Sequence, residues 1–151
     1  MEGSKKEYTI HYAIQGGYGI PTGFLGANAE FGLKYVIAYL GTGYTAFIKG
    51  TSGTLGYNVG LKGYLSEPDS KFRFGVNAGY GINNVFMEEG REFVVTGANV
   101  GAGFNHQFMR NSNAFYSLGI SVPLLFTNNH KPKNEELIND FFPYFGFGYR
   151  W

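Results

Sequence analysis

The last eleven residues, 141–151, place an aromatic side chain at every second position of their final stretch. Successive side chains of a β-strand point to opposite faces, so this spacing puts four aromatic rings on one face. These are Phe145, Phe147, Tyr149 and Trp151. The opposite face carries Gly146, Gly148 and Arg150. Such a strand suits a position with one side against lipid and the other lining a narrow polar lumen.

Composition agrees with a small β-barrel and narrows the functional classes. A chain of 151 residues is one domain, long enough for about eight strands. Charged residues make up 15%, against roughly 25% in ordinary soluble domains, and 24 residues are glycine. The net charge is +1 with no basic block beyond Lys5-Lys6, which disfavours a nucleic-acid partner. With no cysteine, disulfide and thiolate chemistry are excluded.

The domain organisation follows from the segments that lack structural signals. No run of about 18 apolar residues occurs, so a transmembrane helix is excluded, whereas a barrel needs none. No apolar core follows the polar start of the chain, so we do not expect residues 1–6 to be a secretion signal. We expect residues 1–6 to be a disordered or recombinant N-terminal segment and residues 7–151 to form a single β-barrel domain.

Alternating apolar and polar residues predict eight strands. The fourth is typical: Leu55, Tyr57, Val59 and Leu61 alternate with glycine, asparagine and lysine. In the third, two apolar registers compete, so its facing stays open, and Gly41 or Gly43 could host a bulge. The predicted segments are 7–19, 24–34, 36–47, 55–62, 71–80, 93–108, 116–124 and 141–151.

The predicted connections alternate in length. Short turns follow the second, fourth and sixth strands, around residues 34–35, 67–70 and 110–113. Longer ones follow the fifth, where Asn83-Asn84 and Glu88-Glu89-Gly90 signal a loop, and the seventh, at 127–140. Membrane barrels have short periplasmic turns and longer outer loops, which predicts that both termini are periplasmic.

In these features the chain resembles the small eight-stranded bacterial outer-membrane β-barrels of the OmpA membrane-domain and OmpX type. The resemblance is one of pattern over residues 7–151, and only the terminal Gly-Tyr-Arg-Trp strand is motif-like. It implies an all-β, antiparallel, up-and-down transmembrane barrel in the outer membrane of a Gram-negative bacterium, with membrane lipid as a partner. It also implies that the outer-membrane insertion machinery reads the C-terminal strand as an assembly signal, and that larger membrane complexes are a further class of partner. No cofactor is implied.

Alternation alone does not decide which face is inside. A soluble lipocalin-like barrel has the same period with its apolar face turned inward. Its outer face should carry many charged residues, whereas the polar face here is mostly glycine, asparagine and serine. Small residues fit the crowded interior of an eight-stranded barrel. The composition of the polar face therefore favours the membrane barrel.

Aromatic residues near the strand ends predict two interfacial girdles, with ordinary hairpin packing as the alternative. One girdle contains Tyr18, Tyr44, Phe126, Phe141 and Tyr144, and the other contains Phe72, Phe108, Tyr149 and Trp151. A further set, Tyr39, Tyr64, Phe115 and again Tyr144, could instead point inward and fill the lumen.

Four charged residues fall on the predicted lumen face near the short turns: Glu30, Lys62, Arg73 and Arg150. A charge in a narrow, partly dehydrated lumen needs a partner, so we expect Glu30 to bridge to one or more of the three cations. Such a network could gate a small pore, but it more commonly forms a packed polar core. The packed core is the favoured interpretation.

The histidines give little support for catalysis or metal binding. His11, His106 and His130 have no neighbouring serine at His-x-Ser spacing, and His106 is predicted on the apolar face near a short turn. His130 with Glu135 and Glu136 matches no established metal-site spacing. We therefore expect no catalytic residues and no metal site. Three functions remain: a non-catalytic structural or accessory-subunit barrel, a narrow channel or hydrophobic-ligand conduit, and a soluble ligand-binding barrel.

Overall fold

The structure is a computed structural model, and it describes residues 11–22, 25–45, 53–67, 70–108, 113–124 and 141–151. These residues form eight strands and one turn of 3-10 helix, Ile20–Thr22. The strands are β1 (His11–Tyr18), β2 (Leu25–Gly32), β3 (Val36–Tyr44), β4 (Leu55–Tyr64), β5 (Phe72–Glu88), β6 (Arg91–Gln107), β7 (Ala114–Pro123) and β8 (Phe142–Arg150).

The sheet closes into a barrel because β1 pairs with both β2 and β8. Every neighbouring pair is antiparallel, and strand order follows chain order. The ladder continues to the last residue, where Trp151 N donates to Tyr12 O at 2.9 Å. The prediction of an all-β, eight-stranded, up-and-down antiparallel barrel is therefore confirmed.

The barrel has two distinct ends. The end that carries the β2–β3, β4–β5 and β6–β7 connections is called the short-turn end, and the opposite end is called the loop end. Only residues 33–35 separate β2 from β3, as expected for the short-turn end. The N-terminal segment 1–6, the start of the first predicted strand at 7–10 and the long connection at 127–140 lie outside the described residues.

The facing of β3, which the sequence left open, is fixed by its neighbours. Gly41 pairs with Asn28 of β2 on one side and Asn58 of β4 on the other, and both asparagines are buried in the lumen. Ile37 and Tyr39 therefore point inward. Pairing is continuous on both sides of the strand, so neither candidate glycine hosts a bulge.

The prediction of a loop at Asn83-Asn84 was wrong. Both residues lie within β5, and the connection to β6 is the two-residue turn Glu89-Gly90. Positive φ angles of 51° and 77° at these residues match a type I′ hairpin turn. Most of the residues predicted to form a longer connection instead extend β5 and β6, which are 17 residues long each.

A β-bulge explains how the asparagines fit into the strand. The register with β6 shifts between Ile82 and Asn84, which makes Asn83 the extra residue. Its Nδ2 donates to Ala98 O at 2.9 Å, and its Oδ1 accepts from Asn99 Nδ2 at 3.0 Å. These two hydrogen bonds to β6 satisfy the side-chain amide of Asn83, so the residue fits within the strand.

Candidate functional site

The outer surface of the barrel is apolar. Leu40 is 62% exposed, whereas the preceding residue, Tyr39, is 2% exposed. The same alternation runs along the other strands, and the apolar sets predicted from the sequence point outward. Exposed members on the central strands include Phe31, Leu40, Val59, Leu61, Phe74, Val76, Leu118 and Ile120.

The aromatic residues of the short-turn end form a nearly continuous band across β5 to β8. Phe72 and Phe104 stack with ring centroids 5.1 Å apart, and Phe108 stacks with Phe147 at 6.0 Å. His106 lies between Phe72 and Tyr116, at 4.8 and 5.1 Å. The structure thus places His106 on the outward face near a short turn, as the sequence predicted.

The second predicted aromatic girdle is less complete. Tyr44 and Phe141 are exposed near the loop end, whereas Phe126 lies outside the described residues. Tyr144 points inward, because a Cβ added at Gly103 would stand 2.2 Å from its hydroxyl oxygen. Its assignment to the girdle is therefore corrected, and its alternative assignment to the lumen describes the structure.

The C-terminal strand presents its aromatic side chains outward. Phe145, Phe147, Tyr149 and Trp151 are all exposed, whereas Arg150 is buried on the opposite face. Tyr149 and Trp151 pack edge to face at 5.5 Å. These four residues form an apolar strip at the seam where the barrel closes on β1.

The four charged residues predicted for the lumen all lie inside the barrel. Glu30 and Arg150 flank Ala13, which pairs with both of them. Lys62 Nζ forms an ion pair with Glu30 Oε1, and the carboxylate side chain is 2% exposed. The structure therefore brings Glu30 together with Lys62.

The two arginines stack on inward aromatic rings. The guanidinium carbon of Arg73 is 3.8 Å from the centroid of the Tyr64 ring, and that of Arg150 is 5.1 Å from the centroid of Phe115. Cation–π attraction of this kind strengthens when water is excluded. Arg73 also donates through Nη2 to Lys34 O at 3.1 Å, which ties the lumen to the β2–β3 turn.

Polar contacts inside the lumen connect β3 with the adjacent β4, β4 with β6, and β1 with β7. Tyr39 Oη donates to Asn58 Oδ1 at 2.6 Å, and Asn105 Nδ2 donates to Tyr64 Oη at 2.9 Å. Gln15 also hydrogen-bonds Ser117. These bonds hold the inward side chains in fixed positions across the narrow interior.

Inward glycines provide the space that the large inward side chains occupy. A Cβ at Gly79 would meet Tyr39 Oη at 2.3 Å, and a Cβ at Gly119 would meet Tyr144 Cζ at 2.4 Å. Each ring therefore lies over nearby strands that have no side chain at that point. The expectation that small residues fit the crowded interior of the barrel describes these positions.

The loop end is closed by a feature that the sequence reasoning missed. The turn Ile20–Thr22 folds into the barrel, and Ile20 is completely buried. It packs against Ile82, Val85 and Phe142 in an apolar cluster. The sequence signal for this inward turn is the apolar pair Ile20-Pro21, which lies in a connection between strands where polar residues are usual.

Gly19 allows this turn to enter the barrel. Its φ of +122° lies in a region that side chains disfavour, and an added Cβ would stand 2.2 Å from Tyr144 Cβ. Within the barrel, Thr22 N donates to Gly19 O at 3.1 Å, and Asn28 Nδ2 donates to Pro21 O at 3.4 Å. The inward turn is thereby hydrogen-bonded within itself and to β2.

Inside the short-turn half of the lumen, the packing leaves a cavity of about 20 Å³. Its lining includes Lys62, Tyr64, Asn105 and Tyr144. The cavity thus has room for a water molecule or another small ligand.

The described residues contain no group of three or more side chains suited to hold a metal ion. His130, Glu135 and Glu136 lie outside them, as does the side chain of His11. Within the described ranges, no helix is long and apolar enough to cross a membrane.

Comparison with protein family models, curated proteins and solved structures finds no match to this chain. The described residues form a closed eight-stranded barrel with an apolar exterior and a polar, tightly packed interior.

Proposed function

We propose that this chain is an integral outer-membrane β-barrel of a Gram-negative bacterium with a non-catalytic structural or accessory-subunit role. The observation that carries the proposal is the inverted distribution of polarity. Leu40, Leu61 and Phe74 are more than half exposed, whereas Asn58, Arg73 and Ser121 are at most 1% exposed. A hydrocarbon solvent favours this arrangement, because apolar residues face the lipid while the closed ladder satisfies the backbone.

The outward apolar face argues against the soluble ligand-binding barrel. In water, the many exposed large apolar side chains would form a surface far more apolar than that of a typical soluble monomer. A lipocalin-like barrel needs those same residues inside to line a ligand cavity. Here the interior is occupied by hydrogen-bonded and charged side chains.

The packing of the lumen favours a structural role over a conduit. Ile20 fills the loop end, and the Glu30–Lys62 pair lies in the short-turn half. Tyr39 and Tyr144 fill further space inside the barrel, each over glycines of the next two strands. A hydrophobic ligand would have to displace buried hydrogen bonds and an ion pair to pass through.

The decisive experiment for membrane insertion compares folding with and without an apolar phase. Protein unfolded in urea is diluted into plain buffer, detergent micelles or lipid vesicles. Circular dichroism and heat-modifiable gel migration then report the barrel. We expect a compact, β-rich form only with detergent or lipid. A monodisperse, folded monomer in plain buffer would refute membrane insertion.

Two loop-end connections, residues 45–54 and 124–141, are longer than any connection at the short-turn end, whereas the β5–β6 turn at the loop end is tight. This asymmetry suggests an orientation in the membrane. We propose that the short-turn end and both termini face the periplasm and that the Glu89-Gly90 turn faces outward. Because the chain has no cysteine, single cysteines can be introduced without background. On intact cells, a membrane-impermeant maleimide should label Glu89→Cys and spare Glu67→Cys until the outer membrane is permeabilised. The reverse labelling order would contradict this orientation.

The outward aromatic strip of β8 suggests the route of insertion. We propose that the outer-membrane insertion machinery recognises Phe145, Phe147, Tyr149 and Trp151 as an assembly signal. Trp151→Ala should slow assembly on that machinery, whereas the equally outward Leu124→Ala should not. Equal assembly rates for the two variants would argue against this recognition.

A further inference from the structure

The small lumen cavity is lined by four polar side chains together with Gly75, Val76 and Gly103. Lys62 contributes an ammonium group, Asn105 an amide, and Tyr64 and Tyr144 contribute hydroxyls. The hydroxyl oxygen of Tyr64 already accepts a hydrogen bond from Asn105 Nδ2, at 2.9 Å. Its proton is therefore directed elsewhere.

The hydroxyl of Tyr144 is held at the same cavity. Its oxygen lies next to Gly103, where a Cβ would stand 2.2 Å away, and Gly103 itself lines the cavity. The ring also lies over Gly119, the cross-strand partner of Gly103, because a Cβ there would stand 2.4 Å from both Cζ and the hydroxyl oxygen. The two glycines thus leave the space that the hydroxyl group occupies.

The charges around the cavity favour an anion. On the short-turn side, the described inward residues comprise three basic side chains and one acidic side chain, an excess of two positive charges. The carboxylate of Glu30 forms an ion pair with Lys62, and Lys62 also lines the cavity. The guanidinium of Arg73 lies 3.8 Å from the centroid of the Tyr64 ring, which strengthens the Tyr64 hydroxyl as a donor.

From these observations we propose that the cavity is a binding site for a single monatomic anion, of which chloride is the physiological example. The cavity is small, about 20 Å³, and chloride is the smallest anion that is abundant in biological media. The donors satisfy the ion, and the excess positive charge offsets its desolvation. The bound anion joins β4, β6 and β8 across the lumen.

The test measures heat stability of the folded barrel in the medium in which it folds. Sodium chloride or bromide is compared with sodium methanesulfonate, whose anion is larger than either halide, at equal ionic strength. At a halide concentration about five times the dissociation constant, the melting midpoint should rise by about 2–4 °C. The absence of any halide-specific rise would overturn the proposal.

Variants distinguish binding in the cavity from a general salt effect. Tyr144→Phe removes a cavity hydroxyl and should abolish the rise, and Tyr64→Phe is a second variant of the same kind. Tyr80→Phe is the matched control, because Tyr80 is outward and 43% exposed. It should keep the full rise. An equal rise in Tyr144→Phe, Tyr64→Phe and Tyr80→Phe would overturn the proposal.

Anomalous scattering from crystals grown in bromide gives a direct readout. The proposal predicts a bromide peak within hydrogen-bonding distance of the Tyr64 and Tyr144 hydroxyls. Bromide peaks confined to the protein surface would refute it. This result is independent of membrane insertion, because the crystals can be grown from whichever medium supports folding.

Discussion

Breaking the buried Glu30–Lys62 ion pair should destabilise the barrel, and the loss of its two partners should have unequal effects. Glu30→Gln removes the one carboxylate of the four-residue lumen network and leaves its three basic side chains. Removing one partner of a buried pair costs about 3–5 kcal/mol, and we expect Glu30→Gln to fall in this range. Lys62→Met should cost less, because Arg73 and Arg150 remain in the lumen to offset the carboxylate.

The assay is a double-mutant cycle of urea unfolding in lipid vesicles, followed by circular dichroism. Glu30→Gln/Lys62→Met should be more stable than the sum of the single changes predicts, with a coupling energy of at least about 1 kcal/mol. Changes that add to within about 0.3–0.5 kcal/mol would refute the reasoning, because they would show that the pair does not interact in the folded barrel.

The chain offers a matched control in the exposed pair Lys34–Glu67. Its Nζ to Oε1 distance is 2.6 Å, but its side chains are 45% and 63% exposed. Solvent screens such a pair, so Glu67→Gln should leave unfolding almost unchanged. A loss as large as that of Glu30→Gln would show that burial is not what makes the lumen pair important.

The exposed pair also has a defined pH dependence. The hydrogen bond between the two side chains lowers the pKa of Glu67 from 4.5 and raises the pKa of Lys34 from 10.5. The contribution of Glu67 is present above its unfolded pKa and is lost as the pH falls through the folded value. That of Lys34 is present below its unfolded pKa and is lost as the pH rises through the folded value. The small difference between wild type and Glu67→Gln should therefore persist near neutrality and disappear in acid; a difference that grows in acid would contradict the assignment.

Three further comparisons test the lumen packing and the outer face, each by unfolding in lipid vesicles. Gly79→Ala should cost about 1–3 kcal/mol, because the added Cβ clashes with a tyrosine hydroxyl. Gly63→Ala should be neutral or stabilising, because its added Cβ has no contact nearer than 3.8 Å. Equal effects of the two changes would contradict the packing. Leu40→Arg should cost about 2–4 kcal/mol and Leu65→Arg, beside a short turn, no more than about 1, and a reversed order would contradict the proposed placement in the bilayer. Ile20→Ala should cost about 2–4 kcal/mol, and an unchanged stability would show that the inward turn does not close the barrel.

The sequence predicts the strands well because strand alternation is a local property. The fourth strand needs only its own residues to assign Leu55, Tyr57 and Val59 to one face, and the structure places all three outward. The third strand carries apolar residues in both registers, so its facing depends on Asn28 and Asn58 in the neighbouring strands.

The features that the sequence did not predict depend on contacts between distant residues. Asn83 fits within a strand because Ala98 and Asn99 on the next strand satisfy its side chain. Ile20 enters the barrel because glycine leaves space there: a Cβ on Gly41 would stand 2.1 Å from the carbonyl oxygen of Pro21. The predicted lumen charges lie together, but their individual partners depend on the relative offset of the strands.

The measurement that most directly tests the central claim is quenching of tryptophan fluorescence by lipids brominated along their acyl chains. The chain has one tryptophan, so a Trp151→Phe background is free of signal. In that background, Leu40→Trp and Tyr39→Trp place the probe at adjacent positions on opposite faces of β3. The proposed membrane barrel predicts strong quenching of the tryptophan at position 40 and little at position 39. Equal quenching, or stronger quenching at position 39, would contradict a lipid-facing exterior.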